Sequence, residues 1–175
     1  MTNTTCRAIF PVAALALLLT ACGGGDEGVF VEDKDPSPSG LSANVTVAAT
    51  GNAVLSGAYA TTNILLNNVT KVDPIGEPVE QCRFRFSDLA QQVAGSTRRM
   101  DGDIRYLPGT NALDSTDVSI DTIAFKMIGT TGATIDRANN RVVFNGAVLT
   151  STQATGQSIT LTGAIPMRGD RPEGC

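Results

Sequence analysis

The residues with most chemistry to offer are four cysteines, Cys6, Cys22, Cys82 and Cys175, and an aspartate pair, Asp101 and Asp103, split by Gly102. Two carboxylates around a glycine suit a hard cation such as calcium, which takes oxygen ligands. Asp101 and Asp103 are therefore the candidates for a metal, although "DGD" lacks the further oxygens and distal Glu of an EF-hand loop. A solvated turn is its ordinary reading. The chain has no histidine, which removes Ser-His-Asp and Cys-His nucleophile pairs and leaves zinc without an imidazole. A Ser-Lys dyad would have to draw on Lys34, Lys71 or Lys126, none of which sits in a favourable setting. A carboxylate pair could serve glycoside hydrolysis. With six Phe, two Tyr and no Trp, little aromatic surface is left for a sugar once a core is filled. These residue types point away from an enzyme and call for no cofactor.

A second surface comes from arginine. If the stretches 79–87 and 96–107 pair as strands, Arg83, Arg85, Arg98, Arg99 and Arg105 share adjacent faces. The planar guanidinium binds carboxylates in bidentate fashion and is favoured at interfaces. Glu80, Asp101 and Asp103 lie in the same stretches and would balance these charges on a solvated face.

The N-terminus says where the chain goes. Arg7 precedes an apolar run from Ala8 to Leu19 that is interrupted by Pro11 and ends in "LLTACGGG", Leu18 to Gly25. About twenty apolar residues are needed to span a bilayer as a helix, so this run is too short. A positive start, a short apolar centre and small residues at the end make a secretory signal peptide. Leu19-Thr20-Ala21-Cys22 resembles the lipobox of bacterial lipoproteins. The resemblance implies that residues 1–21 are removed, Cys6 among them, and that Cys22 becomes the lipidated first residue. Gly23 stands where relatives kept at the inner membrane often carry Asp, so the resemblance implies the periplasmic face of the outer membrane. Two or more acyl chains make such an anchor stable. The membrane is thus the first expected partner, through the N-terminal lipid.

Residues 22–40 then read as a tether. "GGGDEGVFVEDKDPSPSG" (23–40) is rich in Gly, acidic residues and Pro-Ser and cannot bury enough apolar surface to offset ordering. As a coil it would reach about 25 Å. Without the leader's Arg7, twelve basic residues stand against 17 acidic ones, a formal charge of −5. Such a surface does not attract nucleic acid.

From residue 41 to 175 apolar residues recur at period two, which predicts strands. In "EQCRFRFS", Cys82, Phe84 and Phe86 face one way and Arg83 and Arg85 the other. "ANVTVAAT" (43–50) and "DIRYL" (103–107) alternate likewise, and "RVVFNGAVL" and "SITLTGAI" form a last pair turning near Thr155-Gly156. "DVSIDTIAFKMI" shifts phase, which suggests a bulge near Thr122. "SDLAQQVAG" (87–95) reads either as a short helix capped by Ser87 or as an irregular connection. Eight or nine such strands define an all-β domain, an antiparallel β-sandwich or small β-barrel of about eight strands. With Cys22 carrying lipid, Cys82 and Cys175 remain as an even pair in an oxidising compartment, which predicts a disulfide. The expectation is a lipid-anchored envelope protein with a structural or binding role and an undefined protein partner. The alternative is a periplasmic inhibitor of lysozyme or a protease.

Overall fold

The computed structural model describes residues 35–73 and 79–175. Cys22, the leader and most of the tether segment lie outside the described residues. Alternation is clearest along Gln81–Gln91 and Arg99–Tyr106, where Cys82, Phe84, Phe86, Ile104 and Tyr106 are buried between partly exposed Arg and Asp. A strand with one apolar face needs cover for it, and a sheet closed on itself covers every strand without leaving an edge.

The described strands are β1 (Ser37–Pro38), β2 (Ala43–Thr50), β3 (Gly57–Thr61), β4 (Leu65–Leu66), β5 (Thr70–Val72), β6 (Gln81–Gln91), β7 (Arg99–Tyr106), β8 (Leu113–Ile120), β9 (Ile123–Ile128), β10 (Ala133–Asp136), β11 (Arg141–Ser151) and β12 (Ser158–Pro166). Eight close an antiparallel barrel in the order β2-β3-β6-β7-β8-β9-β11-β12 and back to β2. Neighbours follow one another along the chain, so the barrel runs up and down, and of sandwich and barrel the barrel is the fold. The two longest strands each face a broken partner. Along β6 lie β3, β4 and β5 in turn, and along β11 lie β9 and β10.

Side chains fill the barrel interior. Tyr59, Phe84, Phe86, Phe125, Met100 and Ile104 are among those fully buried, and each such burial contributes about 1.5–3 kcal/mol. Outward positions carry Arg83, Arg85, Asp103, Arg105 and Asp117, all partly exposed. An Arg or Lys on the lipid face of a membrane barrel costs about 2–4 kcal/mol at mid-bilayer, so the wall of β6 to β8 is built to face water.

The two ends are closed differently. At the end where β6 begins, the tail after β12 folds back and Cys175 is bonded to Cys82, 93 residues away, with Cα atoms 5.6 Å apart. The Tyr106 hydroxyl donates to the Cys175 oxygen (2.8 Å), Arg171 donates to the same oxygen (2.9 Å), and Gly109 N–H donates to Gly174 (2.8 Å). At the other end a 3-10 turn, Ala53–Leu55, buries Leu55. The Tyr59 hydroxyl donates to the Leu55 carbonyl (3.0 Å), and the Gln91 amide donates to Val54 and Ser56 (3.1 and 2.9 Å).

Four local expectations change. The stretch 87–95 is neither helix nor plain loop: β6 runs on to Gln91, past a bulge where Asp88 takes φ 69°. Leu89 and Gln91 thereby stay inward, which a helix would not allow. The phase shift near Thr122 is a hairpin, since Ile120 pairs with Ile123 and Asp121 takes φ 53°. Asp101-Gly102-Asp103 lies within β7 rather than in a turn. Ordered pairing also reaches into the segment read as tether, where Ser37 and Pro38 pair with Leu66 and Leu65. Arg168 explains this last point. Its guanidinium donates to the carbonyls of Ser37 (3.0 Å), Pro38 (3.1 Å) and Leu66 (3.1 Å), fastening the C-terminal tail to the first strand.

Two predictions follow from this packing. A loop of 93 residues confers about 4–5 kcal/mol in the chain-entropy picture, much of a small domain's stability. Cys82→Ser and Cys175→Ser should each lower the denaturant midpoint steeply, and the double variant should be little worse than either. Two reactive thiols in denatured, unreduced protein carrying Cys22→Ser would contradict the bond. The chain's two tyrosines should also titrate abnormally. Burial pushes Tyr59 up to about 12, with Arg98 opposing and Asp121 adding, and burial likewise raises Tyr106 against Arg171 and Arg137. A raised folded pKa leaves stability intact below pH 10 and erodes it as pH climbs towards 12. Tyrosinate absorbance should therefore rise together with loss of the β circular dichroism signal, with no separate step near pH 10.

Candidate functional site

The outer wall of β6 to β9 gathers the charges that the sequence singles out. Register sets Arg85 beside Asp103, Asp103 beside Asp117, and Asp117 beside Lys126, in one row across four strands. Two carboxylates directly opposed on neighbouring strands repel, and each is offset by a cation. Arg83 donates to both oxygens of Asp103 (3.1 and 2.9 Å from Nε, 2.6 Å from Nη2), and Arg105 stands 3.8 Å away. Lys126 sits 3.5 Å from Asp117. Asp101, one row on, accepts the Asp88 N–H at the bulge (3.0 Å).

Arg83, Arg85, Arg99 and Arg105 do share the adjacent strands β6 and β7, Arg98 stands just before β7, and acids meet each of the five. Arg85 lies 3.7 Å from Asp35, Arg98 3.6 Å from Asp121 and Arg99 2.7 Å from Asp88. The face is therefore a balanced network rather than a free cationic surface. Lys71 is paired with Glu80 at 3.0 Å, so Lys71 and Lys126 both stand in ion pairs with acids. Lys34 lies outside the described residues. Among the described residues no three His, Cys, Asp or Glu side chains come together as a metal set. The Asp101 carboxylate accepts from Asp88 on β6, and that of Asp103 faces Arg83 on β6 and Arg105 on β7.

A groove of about 380 Å³ crosses this wall. Its floor is the backbone row Phe86, Gly102, Val118 and Phe125, and Pro36 and Thr152 also line it. The groove exists because Ser87, Ser119 and Ala124 are small while Arg85, Asp103 and Asp117 stand tall beside them. Its volume falls in the range of small-ligand sites. The Phe86 and Phe125 rings are buried on the other side of the wall, so the groove shows backbone, Pro36 and small side chains along its length and the charges of Arg85, Asp103 and Asp117 beside them. Under that floor Gly102 is required: a Cβ there would run into the Phe86 ring.

Elsewhere, Asp136 accepts hydrogen bonds from Asn139 and then Arg141, which hold its carboxyl below the usual carboxylate range in the β10–β11 turn. Sequence reasoning missed the Arg168 clamp, the Gln91 bridge and the groove itself. The tail "MRGDRPEGC" signalled only its cysteine. No family model, no curated protein and no solved structure matches this chain.

Asp103 is the acceptor on which the charged row turns, and the Arg83 and Asp103 side chains are only 23% and 22% exposed. Hydrogen bonds to charged groups are worth about 1.5–3 kcal/mol, so Asp103→Ala should cost about that much in urea unfolding. Asp101→Ala should cost less. Equal losses would show that the Arg83 pair adds nothing beyond an exposed contact.

Proposed function

We infer that this chain is a lipid-anchored protein of the bacterial envelope, in which the barrel is a structural or binding module held near a membrane surface. The observation that carries the reading is Leu19-Thr20-Ala21-Cys22 at the end of a short apolar run. Two features of the barrel support it. A disulfide is at home in an oxidising compartment, and the charged wall of β6 to β9 suits an aqueous space beside the membrane rather than its interior. The barrel is then cargo for the anchor, and the groove on β6 to β9 is a recess that could take a small ligand or a partner's side chain.

The test is metabolic labelling with palmitate in a bacterial host. The unaltered chain should take up label and fractionate with membranes. Cys22→Ser should lose the label and accumulate as unprocessed precursor or as soluble protein. Equal labelling of both forms would overturn the anchor.

A further inference from the structure

Asn145 and Gly146 form a bulge in β11. Asn145 pairs with Thr162 and the next register pair is Ala147 with Leu161, so Gly146 is the extra residue without a cross-strand partner. Gly146 takes φ 77°, and no atom lies within 4 Å of where a Cβ would stand. Both residues are exposed. The row that runs through Asn145 carries no charge, being Asn145, Thr162, Thr46 and Ala58 across β11, β12, β2 and β3. The exposed Asn139 differs, since Asp136 holds its amide at 3.0 and 2.8 Å.

We propose that Asn145 is a site of spontaneous deamidation, driven by the backbone nitrogen of Gly146. That nitrogen attacks Cγ of the Asn145 amide. A bond forms between the Gly146 nitrogen and Cγ as the Cγ–Nδ2 bond breaks, and the nitrogen's proton departs with the leaving ammonia. Water then opens the succinimide at either carbonyl, leaving aspartate or isoaspartate. Nothing is oxidised or reduced, and water is the only co-reactant. Glycine matters because no side chain crowds the ring as it closes. The Asn145 N–H is bonded to the Gly132 carbonyl (2.7 Å), and ring closure turns the Asn145 side chain and the peptide to Gly146, neither of which includes that N–H. The product sets a carboxylate in an uncharged row and takes the net charge one unit below −4.

The experiment incubates the folded full chain in mildly alkaline buffer, with isoelectric focusing and peptide mass mapping over time. A more acidic species should accumulate. Its change should map to the peptide holding Asn145-Gly146, react with isoaspartyl methyltransferase, and run ahead of any change at Asn139. Asn145→Gln, with circular dichroism matching the parent, should lose that species. If the variant fails to fold, the parent's peptide map decides alone. Conversion at Asn145 no faster than at Asn139, or an acidic species that maps elsewhere, would overturn the proposal.

Discussion

The ladder between β12 and β2 is the constraint on which the rest depends. Seven register pairs, from Ser158 with Thr50 to Ala164 with Asn44, join the last barrel strand to the first. A sheet that closes has no edge to protect, but its inward side chains must then fill one shared space. The closure is tight enough to dictate a residue. Gly163 takes φ 137° beside Val45, and a Cβ there would strike the Asn44 carbonyl. The same tightness acts across the barrel, where the Phe86 ring occupies the volume that Gly102 leaves. Closure also makes the two ends the places where the core meets water, and each is covered by a segment with no place in the wall: the Leu55 turn at one end and the Cys175 tail at the other.

Strand content was legible because period two is a direct image of the pleat. Cys82, Phe84 and Phe86 against Arg83 and Arg85 left no other reading. What misled was local. The spacing of Leu89 and Val93 fits a helical turn, yet Leu89 and Gln91 continue the strand once a bulge at Asp88 corrects the phase, and Val93 falls in the exposed turn beyond it. A single left-handed residue achieves this, and no residue type at that position announces it. The hairpin at Asp121 is the same problem in reverse, with a turn short enough to look like an irregularity within one strand. Barrel and sandwich share alternation and strand spacing, so only the β12–β2 pairing distinguishes them here.

Of the site, the parts that rest on counting were readable. Cys82 and Cys175 are the two cysteines of the strand-bearing region and imply each other, and adjacent strands of Arg and Asp imply ion pairs. The parts that rest on distant geometry were not. Arg168 reaches carbonyls at Ser37, Pro38 and Leu66, more than a hundred positions away. Backbone acceptors leave no trace in residue type, so this clamp has no sequence signature. The groove is equally silent, because it arises from small residues at matching heights on three strands rather than from any motif.

The β12–β2 ladder also governs how the chain can be made. A chain that emerges N-terminus first presents β2 more than a hundred residues before its partner β12 arrives. Pairing at such separation is slow, since the loop must be closed before any contact rewards it. Until Pro166 is free, the barrel has an open seam, and Cys82 waits with its thiol unpaired for the tail behind it. Closure is therefore held to the end of synthesis: until the tail is out the chain remains an open sheet, and oxidation of Cys82 with Cys175 marks the moment at which it can no longer unwind without first breaking a covalent bond.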